Sequence, residues 1–215
     1  YLYLIKRLPD KKIIPVVHLT PLSLMVKLVE EYVSVGAKIV AYGGIIPPML
    51  KRTRYREKSL LGLIILRKLF PKVDFHVLGV GSYVMIRILR CIGVRSVDTS
   101  TWRVKAAYGH VIIPGVGERY VGNRKLRFNT PRASLEELHR LYKALEKTGF
   151  PYIDNFWNLL KTFKGRALIN AWVISKTNGN ISKKSSFYSL YRKVLRFMKL
   201  SLDDLLEMYE DGSYE

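Results

Sequence analysis

Residues 13–101 repeat one pattern: a short apolar run, a small or polar residue at its end, and then a longer amphipathic segment. Apolar runs without polar alternation are typical of buried strands, and a helix after each strand is typical of a parallel sheet. The repeat of roughly 25–30 residues suits βα units of a (β/α)8 barrel or of a doubly wound sheet. The pattern predicts strands at 12–18, 37–44, 73–81 and 94–98, and helices at 20–36, 55–70 and 82–93.

Residues at the ends of the first predicted helix fit known capping preferences. Thr20 is the expected N-cap, Pro21 stands in the first turn, and Gly36 is expected to end the helix. These signals fix the helix between the first two strands.

The repeat stops after Trp102. Residues 104–130 are rich in glycine and basic residues and predict a loop with short strands. Residues 131–149 predict a helix, with Ser134 as N-cap and Glu137 completing a capping box. Further helices are predicted over 150–174, 185–200 and 201–211. We therefore expect a barrel portion at 1–129, a helical extension at 130–176, and a linker with C-terminal helices at 177–215.

The charge of the chain indicates a polyanionic partner. The 37 Lys and Arg residues outnumber the 17 Asp and Glu residues, which gives a net charge of +20 at pH 7. The basic residues recur along the chain instead of forming one tail, and this favours nucleic acid over an anionic membrane. A generic basic surface, or the charged coat of a thermophile's protein, is the alternative.

A single cysteine, Cys91, excludes an internal disulfide and any zinc site built from several cysteines of this chain. Cys91 lies in an apolar helical stretch and is expected to be a small core residue. Charged residues interrupt the longest apolar runs before the ~20 residues that a membrane span needs. No segment has the features of a signal peptide, so we expect a soluble cytoplasmic protein without a membrane partner.

Candidate chemistry gathers at the carboxyl ends of the predicted strands, where parallel α/β folds bind their ligands. A carboxylate there can act as a nucleophile or base, and glycines let backbone N–H groups approach a flat or anionic ligand. Other roles are open: a cap of the turn at Thr99 and Ser100 for the carboxylate, tight turns for the glycines, and a strand cap for the histidine. The residues at these ends are His18, Gly43, Gly44, Gly79, Gly81 and Asp98.

Four further candidate residues lie in or after these strands. His76 lies inside a predicted strand and is expected to be packed. Trp102, Arg103 and Lys105 follow Asp98 closely, and an aromatic ring with cations beside a carboxylate suits base stacking and phosphate contact. A core tryptophan beside an exposed arginine is the alternative.

Four segments together resemble the tRNA-guanine transglycosylase family, the base-exchange enzymes of queuosine and archaeosine synthesis, and their phage-type DNA-modifying relatives. VAYGGIIP resembles the family's strand that ends in Gly-Gly, FHVLGVGS its Gly-Val-Gly segment, and GVRSVDTSTW the strand that ends in its nucleophilic aspartate. IIPVVH takes the place of a strand that ends in a base-recognising glutamine, where this chain has His18. The order and spacing of the segments agree over about residues 12–105.

The resemblance implies a fold and a reaction. The fold is α/β of the (β/α)8 TIM-barrel type, with this chain supplying the C-terminal half of the barrel and further C-terminal helices. Asp98 would attack C1′ of a guanine nucleotide, and a 7-deazaguanine would then displace it from the covalent glycosyl intermediate. Leu78 would pack on the base and Gly79 would contact it. The resemblance implies no cofactor and no metal in this chain.

The chain also departs from the family's pattern. The family's tRNA enzymes continue after the aspartate with Pro-Thr-Arg or a similar run and then a zinc site, whereas this chain has Thr-Ser-Thr-Trp and one cysteine. The departure favours the zinc-less DNA-modifying branch, with DNA expected ahead of tRNA and a viral or archaeal host cell as the setting. The family's first half-barrel carries a second aspartate, the general base, and no equivalent strand precedes Ile13. A second chain or additional N-terminal sequence is therefore expected to complete the barrel.

No acidic residue in this chain stands out as that general base, and Glu118 and Asp154 are only weak candidates for it. Asp74 lies at the wrong end of its strand, and Glu118 and Asp154 lie outside the repeat. The rival hypothesis is therefore a non-catalytic subunit that binds nucleic acid for a partner.

Overall fold

Four short apolar runs form one parallel sheet, in which each strand lies next to the strand that follows it in sequence. The computed structural model describes residues 1–8, 10–47, 54–122, 130–176, 181, 183, 185 and 187–213. The predicted α/β class with a parallel sheet is confirmed. The strands of this sheet are β1 (Val16–His18), β2 (Ile39–Gly43), β3 (Asp74–Val77) and β4 (Ser96–Val97).

Helices follow the strands as the sequence pattern predicts, and further helices come later in the chain. The described residues contain α1 (Leu2–Arg7), α2 (Leu22–Ser34), α3 (Arg54–Leu69), α4 (Tyr83–Ile92), α5 (Thr101–Ala107), α6 (Leu135–Lys147), a 3₁₀ turn (Ile153–Asn155), α7 (Phe156–Lys161), α8 (Phe163–Lys176), α9 (Tyr188–Phe197) and α10 (Leu202–Asp211).

Contacts divide the chain into two units. The first comprises Tyr1–Gly81, Met85–Thr99 and Ser189–Glu215, and the second comprises Ser82–Val84 and Ser100–Tyr188. The predicted boundaries at 129 and 176 adjoin segments 123–129 and 177–180, which lie outside the described residues. In the described part of the chain, no helix has both the length and the apolar character that crossing a bilayer requires.

The two faces of the parallel sheet differ in burial. Side chains alternate between the faces of a strand, so residues two apart share a face. Tyr42, Phe75 and Val77 lie on the packed face and are fully buried. On the opposite face, Val16 and Ile39 are each 36% exposed. We call this second surface the open face; its side chains that are at least partly exposed are Val16, His18, Ile39, Asp74, His76, Ser96 and Asp98.

Helix α3 lies at the centre of the packing in the first unit. Its residues 59–66 are buried with one glycine among them, as expected for a helix that is covered on all sides. A Cβ atom built on Gly62 would lie 3.3 Å from Met25 Cε, 3.3 Å from Tyr209 Cε2 and 3.4 Å from the Tyr42 hydroxyl. The Tyr42 hydroxyl donates to the Ser59 carbonyl at 3.0 Å. Burial raises the pKa of Tyr42 well above its ordinary value, so this hydroxyl stays a donor.

Two predictions about individual residues in the first unit are wrong. Helix α2 begins at Leu22 with Pro21 as N-cap, and the Thr20 hydroxyl instead donates to the His18 carbonyl at 3.2 Å. Cys91 is exposed because the buried side of α4 is taken by Ile88, Leu89 and Ile92. The predicted helix end at Gly36 is confirmed by its φ of +91°, which only glycine adopts readily.

A hairpin and helices form the second unit. Strands β5 (His110–Ile113) and β6 (Gly117–Tyr120) pair antiparallel. The predicted loop at 104–130 therefore contains short strands, as expected, but its first residues belong to α5, and residues 123–129 lie outside the described part. The buried Asn170 side chain of α8 accepts the Ile112 N–H at 2.8 Å and donates to the His110 carbonyl at 3.1 Å.

The capping box predicted for α6 is confirmed. Ser134 Oγ accepts the Glu137 N–H, and the Glu137 carboxylate accepts the Ser134 N–H, both at 3.1 Å. Arg119 Nε also donates to Glu137 Oε1 at 2.9 Å. Although burial acts in the opposite direction, these hydrogen bonds and the charges of Arg119 and Arg140 lower the pKa of Glu137.

We expect Glu137→Gln to lower the free energy of unfolding at pH 7 by about 1 kcal/mol, because Gln keeps the shape but loses the charge-assisted hydrogen bonds. A carboxylate whose pKa is lowered by folding stabilises the protein above its unfolded pKa, and this contribution is lost as pH falls. The difference from wild type should therefore shrink below about pH 4. Urea unfolding at several pH values measures it. Glu136→Gln, next to Glu137 in the same first turn, is the control, and an equal effect there would contradict the assignment to the box.

Candidate functional site

The register of the parallel sheet brings the predicted site residues to one edge. His18 pairs with Gly43, Tyr42 with Val77, and Val77 with Val97. The residues that end these strands or follow them therefore share the carboxyl edge of the sheet. In the first unit this edge carries His18, Gly43, Gly44, Leu78, Gly79 and Asp98.

Asp98 is fixed by the end of the neighbouring strand. Its Oδ1 atom accepts the Gly79 N–H at 2.7 Å, and its own N–H donates to the Val77 carbonyl at 3.3 Å. Helix α5 begins after Ser100 without a side-chain cap, so Asp98 does not serve as the cap of the next helix. Its side chain is 58% exposed, and Oδ2 has no hydrogen-bond partner among the described residues. Asp98 is thus a positioned carboxylate with one oxygen open to a ligand.

Glycine is required where the chain leaves β3. Gly79 has a φ of +73°, and a Cβ atom there would collide with the Ile46 side chain. A Cβ atom at Gly81 would collide with Thr99, whose hydroxyl donates to the Gly81 carbonyl at 3.1 Å. These contacts join the turn after β3 to the residue that follows Asp98. The positive φ of Gly79 and these close contacts favour the turn role considered for the two glycines.

Three side-chain positions meet around Gly43. A Cβ atom on Gly43 would lie 3.2 Å from His18 Nδ1 and 3.4 Å from Leu78 Cδ1. His18, Gly43 and Leu78 lie on the open face at neighbouring strand ends. Gly44 follows with a φ of +74° and is exposed. The structure therefore brings an imidazole, an aliphatic side chain and bare backbone together beside the Asp98 edge.

His76 was expected to be a packed residue, and the structure shows it partly buried among polar side chains. Its side chain is 22% exposed, and Nε2 lies 3.6 Å from Asp98 Oδ1. Its Nδ1 lies 2.8 Å from Ser96 Oγ. Once the packed face of β3 is known, the alternation along the strand gives the direction of the His76 side chain. Phe75 and Val77 point into the packed face, so His76 between them must point to the open face.

The three residues predicted to contact nucleic acid lie in α5, within the second unit. Trp102 is half-buried, and its carbonyl accepts a hydrogen bond from Asn170 at 3.2 Å. Arg103 is exposed. Lys105 Nζ lies 2.7 Å from Glu118 Oε2, so part of its charge is already neutralised.

The other acidic candidates are placed as follows. Glu118 is paired with Lys105 in the second unit. Asp154 is exposed in the 3₁₀ turn of the second unit. Asp74 lies at the amino end of β3, where its carboxylate is 3.8 Å from Arg95. Asp74 therefore lies at the opposite edge of the sheet from Asp98.

No protein-family model matches this sequence. The chain is similar to a protein of an archaeal virus. It is 33% identical over 198 residues to "Uncharacterized protein 306" of Sulfolobus islandicus rod-shaped virus 1. The match takes in 91% of this chain and 58% of the viral protein, so the chain spans less than two thirds of that relative's length.

We expect Gly79→Ala to cost more stability than Gly36→Ala. Both glycines have positive φ, and forcing Ala into that region costs about 1–2 kcal/mol. Nothing lies within 4 Å of a Cβ atom built on Gly36, whereas one on Gly79 would displace the Cδ1 end of the exposed Ile46 side chain, a rotamer change that adds about 0.5–1.5 kcal/mol. Urea unfolding of the two variants measures the difference. Equal losses would show that the turn after β3 is not tightly enclosed.

Proposed function

We propose that the protein takes part in guanine base exchange, replacing guanine in a nucleic acid by a 7-deazaguanine through a covalent Asp98–glycosyl intermediate. The observation that carries this proposal is the difference between the two oxygens of the Asp98 carboxylate. One oxygen is held by the Gly79 N–H at 2.7 Å, and the other has no partner among the described residues. The resemblance of four strand ends to the transglycosylase family supports the assignment, and DNA is favoured over tRNA.

The bonds made and broken follow from a nucleophilic carboxylate. Asp98 Oδ2 attacks C1′, the bond from C1′ to guanine N9 breaks, and the departing guanine takes a proton. The nucleotide is then joined to Asp98 as an ester. N9 of the incoming 7-deazaguanine attacks C1′, loses its proton, and releases the carboxylate. Retaining glycosidases use a carboxylate in the same two-step manner.

In this proposal the Gly79 N–H donates its hydrogen bond to the Asp98 carboxylate and not to the base. A hydrogen bond to Oδ1 turns the attacking oxygen away from the turn and towards solvent. It also stabilises the negative charge that returns to Asp98 in the second step. Any contact between Gly79 and a base would therefore use other atoms of the residue than its N–H.

The cluster at Gly43 is the proposed place for the base. Leu78 supplies an apolar surface, His18 a polar edge, and Gly43 a position where a side chain would fill the space between them. Bases must leave the stack before an enzyme can reach C1′, and the unstacking cost of a few kcal/mol is offset by such contacts. The net charge of +20 favours the phosphate contacts that bring the polymer to the protein.

The open face supports a half-barrel. A doubly wound sheet reverses its strand order, whereas β1 to β4 follow one another without reversal in the described sheet. Parallel sheets normally have both faces covered, yet Val16 and Ile39 remain 36% exposed on the open face. We propose that these strands are the C-terminal half of a (β/α)8 barrel, with the rest and the general base supplied by further sequence or a second chain. The longer viral relative leaves room for such sequence and favours a viral setting in an archaeal host cell.

A second function is favoured by one observation. The charge indicates nucleic-acid binding, while Glu118 is paired with Lys105 and Asp74 lies near Arg95, so neither is positioned as a second acid or base. A non-catalytic subunit that holds nucleic acid for a partner would have these features. Base exchange and simple binding predict different results for the same assay.

We expect Asp98→Asn to abolish base exchange and leave polymer binding within about twofold, because the amide keeps the size of the carboxylate but is not a nucleophile. Labelled guanine is incubated with duplex DNA and, separately, with bulk tRNA, and the label retained in each polymer is counted. Asp74→Asn, which changes a carboxylate at the opposite edge of the sheet, is the control and should keep its activity.

Wild-type protein should also form an adduct with the polymer that survives denaturing gel electrophoresis, and Asp98→Asn should form none. Exchange retained in Asp98→Asn would overturn the proposed role of this residue. Binding without exchange or adduct, by the chain alone and with added host extract, would favour the binding subunit.

Binding to either polymer should weaken steeply with salt. If about six phosphates are contacted, affinity should fall about 10³-fold between 50 and 200 mM salt, because each neutralised phosphate releases a counterion. Fluorescence anisotropy with labelled oligonucleotides measures the slope. Competition with heparin, a polyanion without bases, shows how much of the affinity comes from electrostatic attraction alone. A flat salt dependence would contradict a phosphate-binding role for the basic residues.

A further inference from the structure

A line of three polar side chains crosses the open face beside the candidate site. Ser96 Oγ lies 2.8 Å from His76 Nδ1, and His76 Nε2 lies 3.6 Å from Asp98 Oδ1. Asp98 follows the last residue of β4 and lies two residues after Ser96, which pairs with His76 across the sheet. The backbone of two paired strands thus fixes all three positions within the first unit.

The carboxylate on one side of the imidazole favours one of its two neutral forms. A carboxylate oxygen can only accept, so the Nε2 atom that faces Asp98 is the one that carries the proton, and the unprotonated Nδ1 then accepts from the Ser96 hydroxyl. Nε2–H faces the same Asp98 oxygen that accepts the Gly79 N–H. The separation of 3.6 Å is longer than a direct hydrogen bond, and such contacts commonly shorten when substrate binds.

We infer that His76, oriented by Ser96, is a positioning residue for Asp98, an inference that rests on the proposed base exchange. Its Nε2–H and the Gly79 N–H together hold Oδ1, which leaves Oδ2 as the oxygen that attacks C1′. When the incoming 7-deazaguanine displaces the carboxylate, the negative charge returns to Asp98. Two donors on Oδ1 stabilise that charge, so His76 assists the second step more than the first.

The first experiment measures base exchange by wild type, His76→Phe, His76→Gln and Ser96→Ala. We expect His76→Phe to lower kcat about 10- to 100-fold with little change in KM, and to increase the fraction of covalent adduct on denaturing gels. Glutamine can present an amide N–H near the place of Nε2, so His76→Gln should recover part of kcat. Ser96→Ala should lie between wild type and His76→Phe. Circular dichroism melts confirm that each variant is folded.

An unchanged kcat in His76→Phe would overturn the inference. Equal losses in His76→Phe and His76→Gln, without accumulation of the adduct, would also overturn it, because a structural role alone gives that result. If a His76 variant fails to fold, the comparison uses Ser96→Ala instead. Ser96 is small and exposed, so this change should not disturb folding. A lower kcat together with more covalent adduct in Ser96→Ala would support the inference. A kcat and an adduct fraction equal to those of wild type would overturn it.

A readout that does not need activity separates this inference from the proposed function. The ¹⁵N shifts of the imidazole report which nitrogen is protonated. We expect the Nε2–H form of His76 in wild type, and a mixture of both forms in Ser96→Ala. No base exchange by wild type, with this tautomer pattern intact, would mean that the proposed function fails and the Ser96–His76–Asp98 line stands. The Nδ1–H form in wild type would overturn the line itself.

Discussion

The hydrogen bond from the Gly79 N–H to the Asp98 carboxylate joins the ends of β3 and β4. This bond depends on the turn after β3, where Gly79 adopts a positive φ and its backbone approaches the Ile46 side chain closely. Thr99 extends the same junction by donating to Gly81. A carboxylate that follows a two-residue strand would otherwise be free to rotate. This junction is therefore what turns an exposed aspartate into a group of defined orientation.

The sheet that carries this junction is asymmetric. On the packed face, Tyr42, Phe75 and Val77 lie against helices, and the buried Tyr42 hydroxyl binds the backbone of α3. On the open face, polar side chains stand next to exposed aliphatic ones. The hydrophobic effect acting on the packed face positions the strands, and that positioning in turn determines where His18, His76 and Asp98 stand. Stability and candidate chemistry thus occupy opposite faces of the same four strands.

Much of the fold could be predicted because local signals and packing agree. The strands of the parallel sheet, the helices after them and the Ser134–Glu137 capping box follow from apolar runs and capping preferences. Thr20 and Cys91 were mispredicted because each has two compatible roles. A threonine before a helix can cap the helix or close the preceding strand, and a small cysteine suits either side of an amphipathic helix. The choice depends on neighbours that are distant in sequence.

The candidate site was only partly predictable for the same reason. Asp98 stands out in the sequence because a carboxylate follows an apolar run. His76 does not, since its significance comes from the pairing of His76 with Ser96, and register between strands is a property of the folded sheet. The exposure of Val16 and Ile39 could not be read from the sequence either, because apolar strands look the same whether one face or both are covered.

The Asn170 side chain has a consequence for how the second unit opens. It binds the Ile112 N–H, the His110 carbonyl and the Trp102 carbonyl, so α8 is tied to both the hairpin and α5. The hairpin cannot separate from α8 without leaving a buried amide unsatisfied. Fluctuations that expose the Ile112 N–H to solvent must therefore displace the helix as well. The slow-exchanging core of this unit should be centred on Asn170 and not on the longer apolar stretches around it.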